Sequence, residues 1–173
     1  YIMNEDGKII EKTMEYNPGL FKLFDEGIVN CRDHYIRMKQ QSHGEKVNQI
    51  HIQIENGKIT MYNNGNGIDI ENHPTHQIWI PEMIFAHLRT STNYDKTQKK
   101  ITGGKNGFGF KLVLIWSTYG KIETVDHTRG LKYVQEFEKN LDIIHKPKIT
   151  KSKLKPYTSV CFILIMNVWV FLI

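Results

Sequence analysis

Three groups of residues in this chain have types and spacings that could do chemistry. The densest is the run at 101–111, Ile-Thr-Gly-Gly-Lys-Asn-Gly-Phe-Gly-Phe-Lys. Gly103, Gly104, Gly107 and Gly109 permit positive φ and close approach of the backbone to a ligand. Bare N–H groups ahead of a helix start form an anion site, and Lys105 and Lys111 add charge that phosphate oxygens would meet. The same residues also suit a glycine-rich hairpin with solvated lysines, and the run alone leaves both readings open. The second group, Glu26, Asn30 and Asp33, falls at helical spacing and reads either as a binding stripe or as an ordinary solvated face. The third, Asn63-x-Gly65-x-Gly67, ends a strand-like segment. His51, His73 and His76 lack a fourth ligand at a recognised spacing, so no structural metal is expected there.

The elements that must position these groups can be read from periodicity. Residues 1–17 suggest a short hairpin or arm turned at Asn4-Glu-Asp-Gly7, and Asn17-Pro-Gly19 punctuates the chain. A helix is predicted over 20–39, with Leu20, Phe24, Gly27, Ile28, Cys31 and Tyr35 as its core stripe. Residues 47–54 alternate, which predicts a half-buried strand with Ile50, Ile52 and Ile54 on one face. A hairpin turn at Asn56-Gly57 leads to its partner at 59–62. A short helix is expected over 77–88, followed by a polar stretch, then the glycine run and a helix over about 109–118. Strands at 121–126 and 131–137 are expected to pair around a turn at 126–130, with further extended segments at 140–144, 148–153 and 157–162. The pattern is α+β: a two-layer sandwich of one mostly antiparallel sheet with helices on one face.

Composition sets bounds. The chain has 173 residues and a formal charge of +5, which is compatible with a polyanionic partner. Cys31 and Cys161 form no pattern and read as reduced intracellular thiols. No leader is apparent, and a start at Tyr1 reads as part of a longer chain. From Val160 to Ile173 the sequence is apolar apart from Asn167. That is shorter than the roughly 18–20 residues of a bilayer span. A frame change or truncation is the simpler expectation, so a membrane role is disfavoured. Residues 1–159 are thus read as a partial domain and 160–173 as an atypical tail.

The spacing Gly104-x-x-Gly107-x-Gly109-x-Lys111 is neither a Walker P-loop nor a Rossmann fingerprint. Together with Glu26 and Asn30 upstream and Asn63-x-Gly65-x-Gly67 between, it resembles the Bergerat ATP-binding fold. That fold is shared by gyrase-type topoisomerases, heat-shock chaperones, mismatch-repair ATPases and histidine kinases. The wording at Pro18–Asn30, Ile80–Phe85, Thr90–Tyr94 and Thr102–Leu112 resembles the ATPase domain of type II DNA topoisomerases of eukaryotes and large DNA viruses. The likeness covers about residues 16–159.

Carried over by position, the resemblance implies a role for each matching residue. Glu26 would be the general base for the attacking water, and Asn30 would hold Mg²⁺. Asp33, Asn63, Gly65, Gly67 and Thr158 would line the nucleoside side, Asn63 standing where many relatives carry Asp. Ser91, Thr92 and Asn93 would meet ribose and phosphate. Gly104, Lys105, Asn106, Gly107, Phe108, Gly109, Phe110 and Lys111 would wrap the triphosphate. Phe108 and Phe110 replace the Tyr and Ala common in the family, and His34 stands where Asn is usual. The family's partner-subunit arm, transducer lysine and cleavage tyrosine have no match in this sequence. The resemblance therefore implies a Bergerat domain incomplete at both ends, with ATP and Mg²⁺ as ligands. It further implies DNA and a second subunit as partners in the whole enzyme, in a nucleus or at a viral replication site. A chaperone or mismatch-repair ATPase, or a degenerate nucleotide-binding fragment, are the alternatives.

Overall fold

The computed structural model describes residues 1–87 and 109–165. Strands β1 (Ile2–Met3) and β2 (Ile9–Ile10) pair as a small separate hairpin. Helix α1 (Pro18–Gln40) follows, then β3 (Ile50–Glu55), β4 (Lys58–Asn64), the short helices α2 (Ile80–Ala86) and α3 (Gly109–Ile115), β5 (Ser117–Val125), β6 (Leu131–Glu138), β7 (Ile143–Ile144), β8 (Lys148–Lys151) and β9 (Tyr157–Leu164). The main sheet runs β3-β4-β9-β5-β6-β7, with β8 also on β6, and every described pairing is antiparallel.

Register decides which residues face the helices. Ile59, Phe162, Gly120 and Phe137 form one row across β4, β9, β5 and β6. Met61, Val160, Ile122 and Gln135 form the next, and Asn63, Thr158, Thr124 and Tyr133 a third. Apolar members of these rows join Leu23, Cys31, Phe85, Phe110, Val113 and Leu114 in the core. Phe110 stands edge-on to Phe85 and Phe162, at 5.3 and 5.7 Å between ring centres, and so ties α2 and α3 to the sheet. The last strand lies between β4 and β5, so the sheet closes only when the two ends of the domain meet. The division expected between Ser159 and Val160 falls inside β9, and Val160, Phe162 and Leu164 are core residues there. Residues 166–173 of the expected tail lie outside the described residues.

Local chemistry explains the element ends. Asn17 caps α1, its side-chain oxygen accepting from the N–H of Gly19 and Leu20 at 3.0 and 3.2 Å, with Pro18 in the first turn. Asn56 and Gly57 both take positive φ, as a tight hairpin turn requires.

The structure corrects several expectations. Gly27 and Cys31 of the expected α1 stripe are buried and Leu20, Phe24 and Ile28 pack against the core, but Leu23 is buried beside them and Tyr35 stays 40% exposed. Gly27 is selected by contact, since its Cα lies against the Met61 sulfur and a Cβ would collide with it. Asp33, expected either on a solvated face or lining the nucleoside side, is buried. Ile50, Ile52 and Ile54 do share a face, opposite Asn63, Met61 and Ile59, yet they remain 42–63% exposed. They sit on the edge strand, and alternation cannot reveal how far the helical layer reaches. Helix α2 starts at Ile80, with Pro81 in its first turn, rather than at 77. Helix α3 ends at Ile115 and β5 has begun by Ser117; the Ser117 hydroxyl donates to the Val113 carbonyl at 2.6 Å and helps close the helix.

Candidate functional site

Helix α1 packs beside the start of α3, and there Glu26 meets Gly109. The Glu26 carboxylate lies against Gly109, so closely that a Cβ at Gly109 would overlap its Oε2. Glu26 is half-buried and pairs with Lys22 Nζ at 3.0 Å, one turn back on the helix. Asn30 is exposed one turn further on. Asp33 is only 6% exposed, with an Arg32 guanidinium nitrogen at 3.7 Å. The three residues thus differ in exposure: Glu26 is half-buried, Asn30 exposed and Asp33 buried.

The second wall is the end of the sheet. The Thr124 hydroxyl is a hub: it donates to the Tyr157 carbonyl at 2.8 Å, accepts from the Ile68 N–H at 2.9 Å and lies 3.2 Å from the Thr158 hydroxyl. Asn63, in the same row, is buried and its amide donates to the Asn64 carbonyl at 3.0 Å. Gly67 takes φ +70° with its Cα against the Val125 carbonyl. Gly67→Ala should cost about 2–4 kcal/mol, since the left-handed backbone and the overlap with a fixed carbonyl act together. A denaturant melt checks this, and a loss below about 1 kcal/mol would contradict the close packing.

Asp126, read from sequence only as part of a turn, holds this wall in place. Its carboxylate is buried and accepts from the Ile70 N–H at 2.8 Å, from the Thr128 N–H and hydroxyl at 2.7 Å each, and from the Arg129 guanidinium at 2.8 Å. Burial alone would raise its pKa, but the donors from Ile70, Thr128 and Arg129 outweigh it and hold the carboxyl well below the usual range. Arg129 also reaches Asp69 at 3.1 Å and pairs with Glu71, so the segment after Gly67 is tied to the β5–β6 turn. The Asp69, Asp126 and His127 group thus anchors a loop, with a guanidinium in its midst.

On α3, Lys111 is 4% exposed, and burial pushes its pKa down to about 8. Phe110 gives its ring to the core, so only its backbone is available to a ligand. Of the expected residues, the structure sets Glu26 against Gly109 and pairs Asn63 with Thr158 across β4 and β9, with Gly65 and Gly67 just beyond β4. Asn30 is exposed, and Asp33, Phe110 and Lys111 are buried. Ser91, Thr92, Asn93, Gly104, Lys105, Asn106, Gly107 and Phe108 lie outside the described residues. Thr124 and Asp126 were missed by sequence reasoning. The Asp-x-Thr-Arg-Gly wording at 126–130 carried a signal for Asp126, since a carboxylate two residues ahead of a Thr N–H is the usual acceptor in such a turn.

A helix bearing Glu and Asn one turn apart, set against an antiparallel sheet that ends in Asn63-x-Gly65-x-Gly67, defines a class of ATPase. The family of histidine kinase-, DNA gyrase B- and HSP90-like ATPases matches residues 16–154, and the chain belongs to it. Within that class, the chain is 46% identical over 159 residues to DNA topoisomerase 2 of Acanthamoeba polyphaga mimivirus, covering 92% of this chain and 12% of that protein. It is 48% identical over 155 residues to DNA topoisomerase 2 of Saccharomyces cerevisiae, covering 89% of this chain and 11% of that one. The ATPase region of S. cerevisiae topoisomerase II, solved bound to ICRF-187, superposes with a TM-score of 0.86 at 45% identity, over 96% of this chain and 43% of that one. The ATPase and transducer domains of the Balamuthia mandrillaris enzyme superpose with a TM-score of 0.84 at 34% identity, over 96% of this chain and 42% of that one. The chain is thus similar to the ATPase region of type II topoisomerases and spans about a tenth of their length.

Proposed function

We propose that this chain is the ATP-binding and ATP-hydrolysing N-gate module of a type II DNA topoisomerase, which passes one duplex through a transient break in another. The observation that carries the reading is the placement of the Glu26 carboxylate against Gly109, on a helix packed beside the sheet in which Asn63 pairs with Thr158. Glu26 serves as general base, drawing a proton from the attacking water. Lys22 Nζ, 3.0 Å from Glu26 Oε1, keeps that carboxylate aimed. Asp33, Asn63, Gly65, Gly67 and Thr158 line the nucleoside side, and Ser91, Thr92 and Asn93 meet ribose and phosphate. Residues 104–111 wrap the triphosphate, with Lys111 as the charged contact.

The residues fit Mg²⁺ and a nucleotide. Asn30 supplies one amide oxygen, and a magnesium ion is content with one or two protein oxygens when phosphates and waters complete its shell. Gly109 leaves the space before Glu26 free of any Cβ. When bound, the ion would neutralise charge on the phosphate oxygens. DNA and a second copy of the subunit are the partners this reading assigns to the whole enzyme, acting in a nucleus or at a viral replication site.

Assays of the protein that carries this chain should show ATP-dependent unlinking of interlocked circular duplexes. ATP hydrolysis with no strand passage would overturn the topoisomerase reading in favour of a chaperone or mismatch-repair ATPase. Lys111 adds a pH signature. Its ammonium is charged below about pH 8 and lost above it, so affinity for a non-hydrolysable ATP analogue should fall as pH rises through 8. Lys111→Met should weaken binding by about 10–100-fold, the worth of one charged hydrogen bond, and flatten that limb. Calorimetric titration between pH 7 and 9 is the check, and a limb that persists in the variant would contradict the role of Lys111.

A further inference from the structure

The formal charge of +5 is localised in one short stretch. Lys146, Lys148, Lys151, Lys153 and Lys155 stand within ten residues, and no Asp or Glu follows Asp142. Without those five, 18 Lys and Arg residues would face 18 Asp and Glu, so the stretch carries the whole excess. All five are exposed. Among the described residues none of them has a carboxylate oxygen within 4.0 Å, whereas Lys22, Lys121, Lys132 and Arg129 are each paired. The lysines are carried on fixed backbone. Lys148 and Lys151 end β8, whose Ile149 lies opposite Tyr133 and packs against the core. Beyond the strand, the Ser152 N–H donates to the Gly130 carbonyl at 2.8 Å and the Leu154 N–H to the Ser152 hydroxyl at 3.2 Å. Edge lysines commonly serve only to discourage strand pairing, but Lys146, Lys153 and Lys155 lie outside β8. From Lys146 to Lys155 the chain reaches at most about 30 Å, close to the roughly 34 Å of one duplex turn. A row of that length addresses an extended polyanion, not a single phosphate group. A lipid surface would ask for apolar side chains beside the charge, and between these lysines Leu154 alone is both apolar and exposed.

We propose that the row from Lys146 to Lys155, on the β8 edge of the domain, is a contact surface for the phosphate backbone of duplex DNA. The choice of DNA among polyanions rests on the topoisomerase reading. The test is fluorescence anisotropy of the chain with a labelled duplex of about 30 base pairs, repeated at salt from about 50 to 200 mM. Five lysine–phosphate contacts predict a log–log slope of about −4.5, a loss of about 500-fold in affinity over that range. The triple variant Lys148→Gln, Lys151→Gln and Lys153→Gln should keep a slope of about −1.8 and lose only about 12-fold. Lys8→Gln, Lys12→Gln and Lys39→Gln together remove the same charge from exposed sites elsewhere and should leave the steep slope. Replacing Lys148, Lys151 and Lys153 by Arg keeps the charge and should also leave it, which separates lost charge from a disturbed strand. A wild-type slope shallower than about −2, or equal flattening by both Gln triples, would overturn the proposal. So would lysine-dependent binding to mixed phosphatidylserine and phosphatidylcholine vesicles with no binding to the duplex, which would assign the row to a lipid surface. Failure of ATP-dependent unlinking with these slopes intact would remove the topoisomerase reading and leave the DNA contact standing.

Discussion

Glu26→Gln should lower ATP hydrolysis by about 10²–10⁴-fold, the contribution of a positioned general base, while nucleotide affinity stays within about threefold. Gln preserves the volume that fits against Gly109, and it removes only the ability to take a proton. The salt bridge to Lys22 adds little to this expectation. That pair is solvent-facing, with the lysine side chain 59% exposed, and such pairs contribute at most about 1 kcal/mol to stability. The fold should therefore survive the change, and steady-state hydrolysis beside analogue titration separates the two effects. Hydrolysis within tenfold of wild type would remove Glu26 from the mechanism.

Asp126→Ala should destabilise the domain by about 3–5 kcal/mol, because it strands the buried Ile70 N–H and an Arg129 that already bridges Asp69 and Glu71. For a chain of this size, that is a drop of about 6–20 °C in melting temperature. The pH dependence has a definite sign. The folded-state pKa of Asp126 is depressed, so its contribution is present above the unfolded value of 3.8 and is lost as pH falls below it. Acid melts of the wild type should show that loss, and the variant should lack it. A melting temperature within about 2 °C of wild type would contradict the anchoring role.

Why Asp126 escaped the sequence reading while Glu26 did not is a matter of range. Glu26 and Asn30 are read from helical spacing, which is local, and the glycine motifs give their meaning by order along the chain. Asp126 acts on Ile70, fifty-six residues away, through a pairing that no local pattern encodes. Thr124 and Thr158 meet only because β9 enters the sheet between β4 and β5. The edge isoleucines show the converse. Their alternation is legible at Ile50, Ile52 and Ile54, but their exposure depends on where the helical layer ends, which is set by tertiary packing. Tyr35 is exposed, against expectation, because α1 turns the Leu23–Gly27–Cys31 side to the sheet. The choice is fixed by the fit of Gly27 over Met61, a contact between residues thirty-four apart in sequence.

The most direct test is to titrate a non-hydrolysable ATP analogue with Mg²⁺ into the folded chain and into its Glu26→Gln variant, following heat. The account predicts saturable binding at one site per chain, with similar affinity in both proteins. A cooperatively folded sample that evolves no binding heat at millimolar analogue would contradict it.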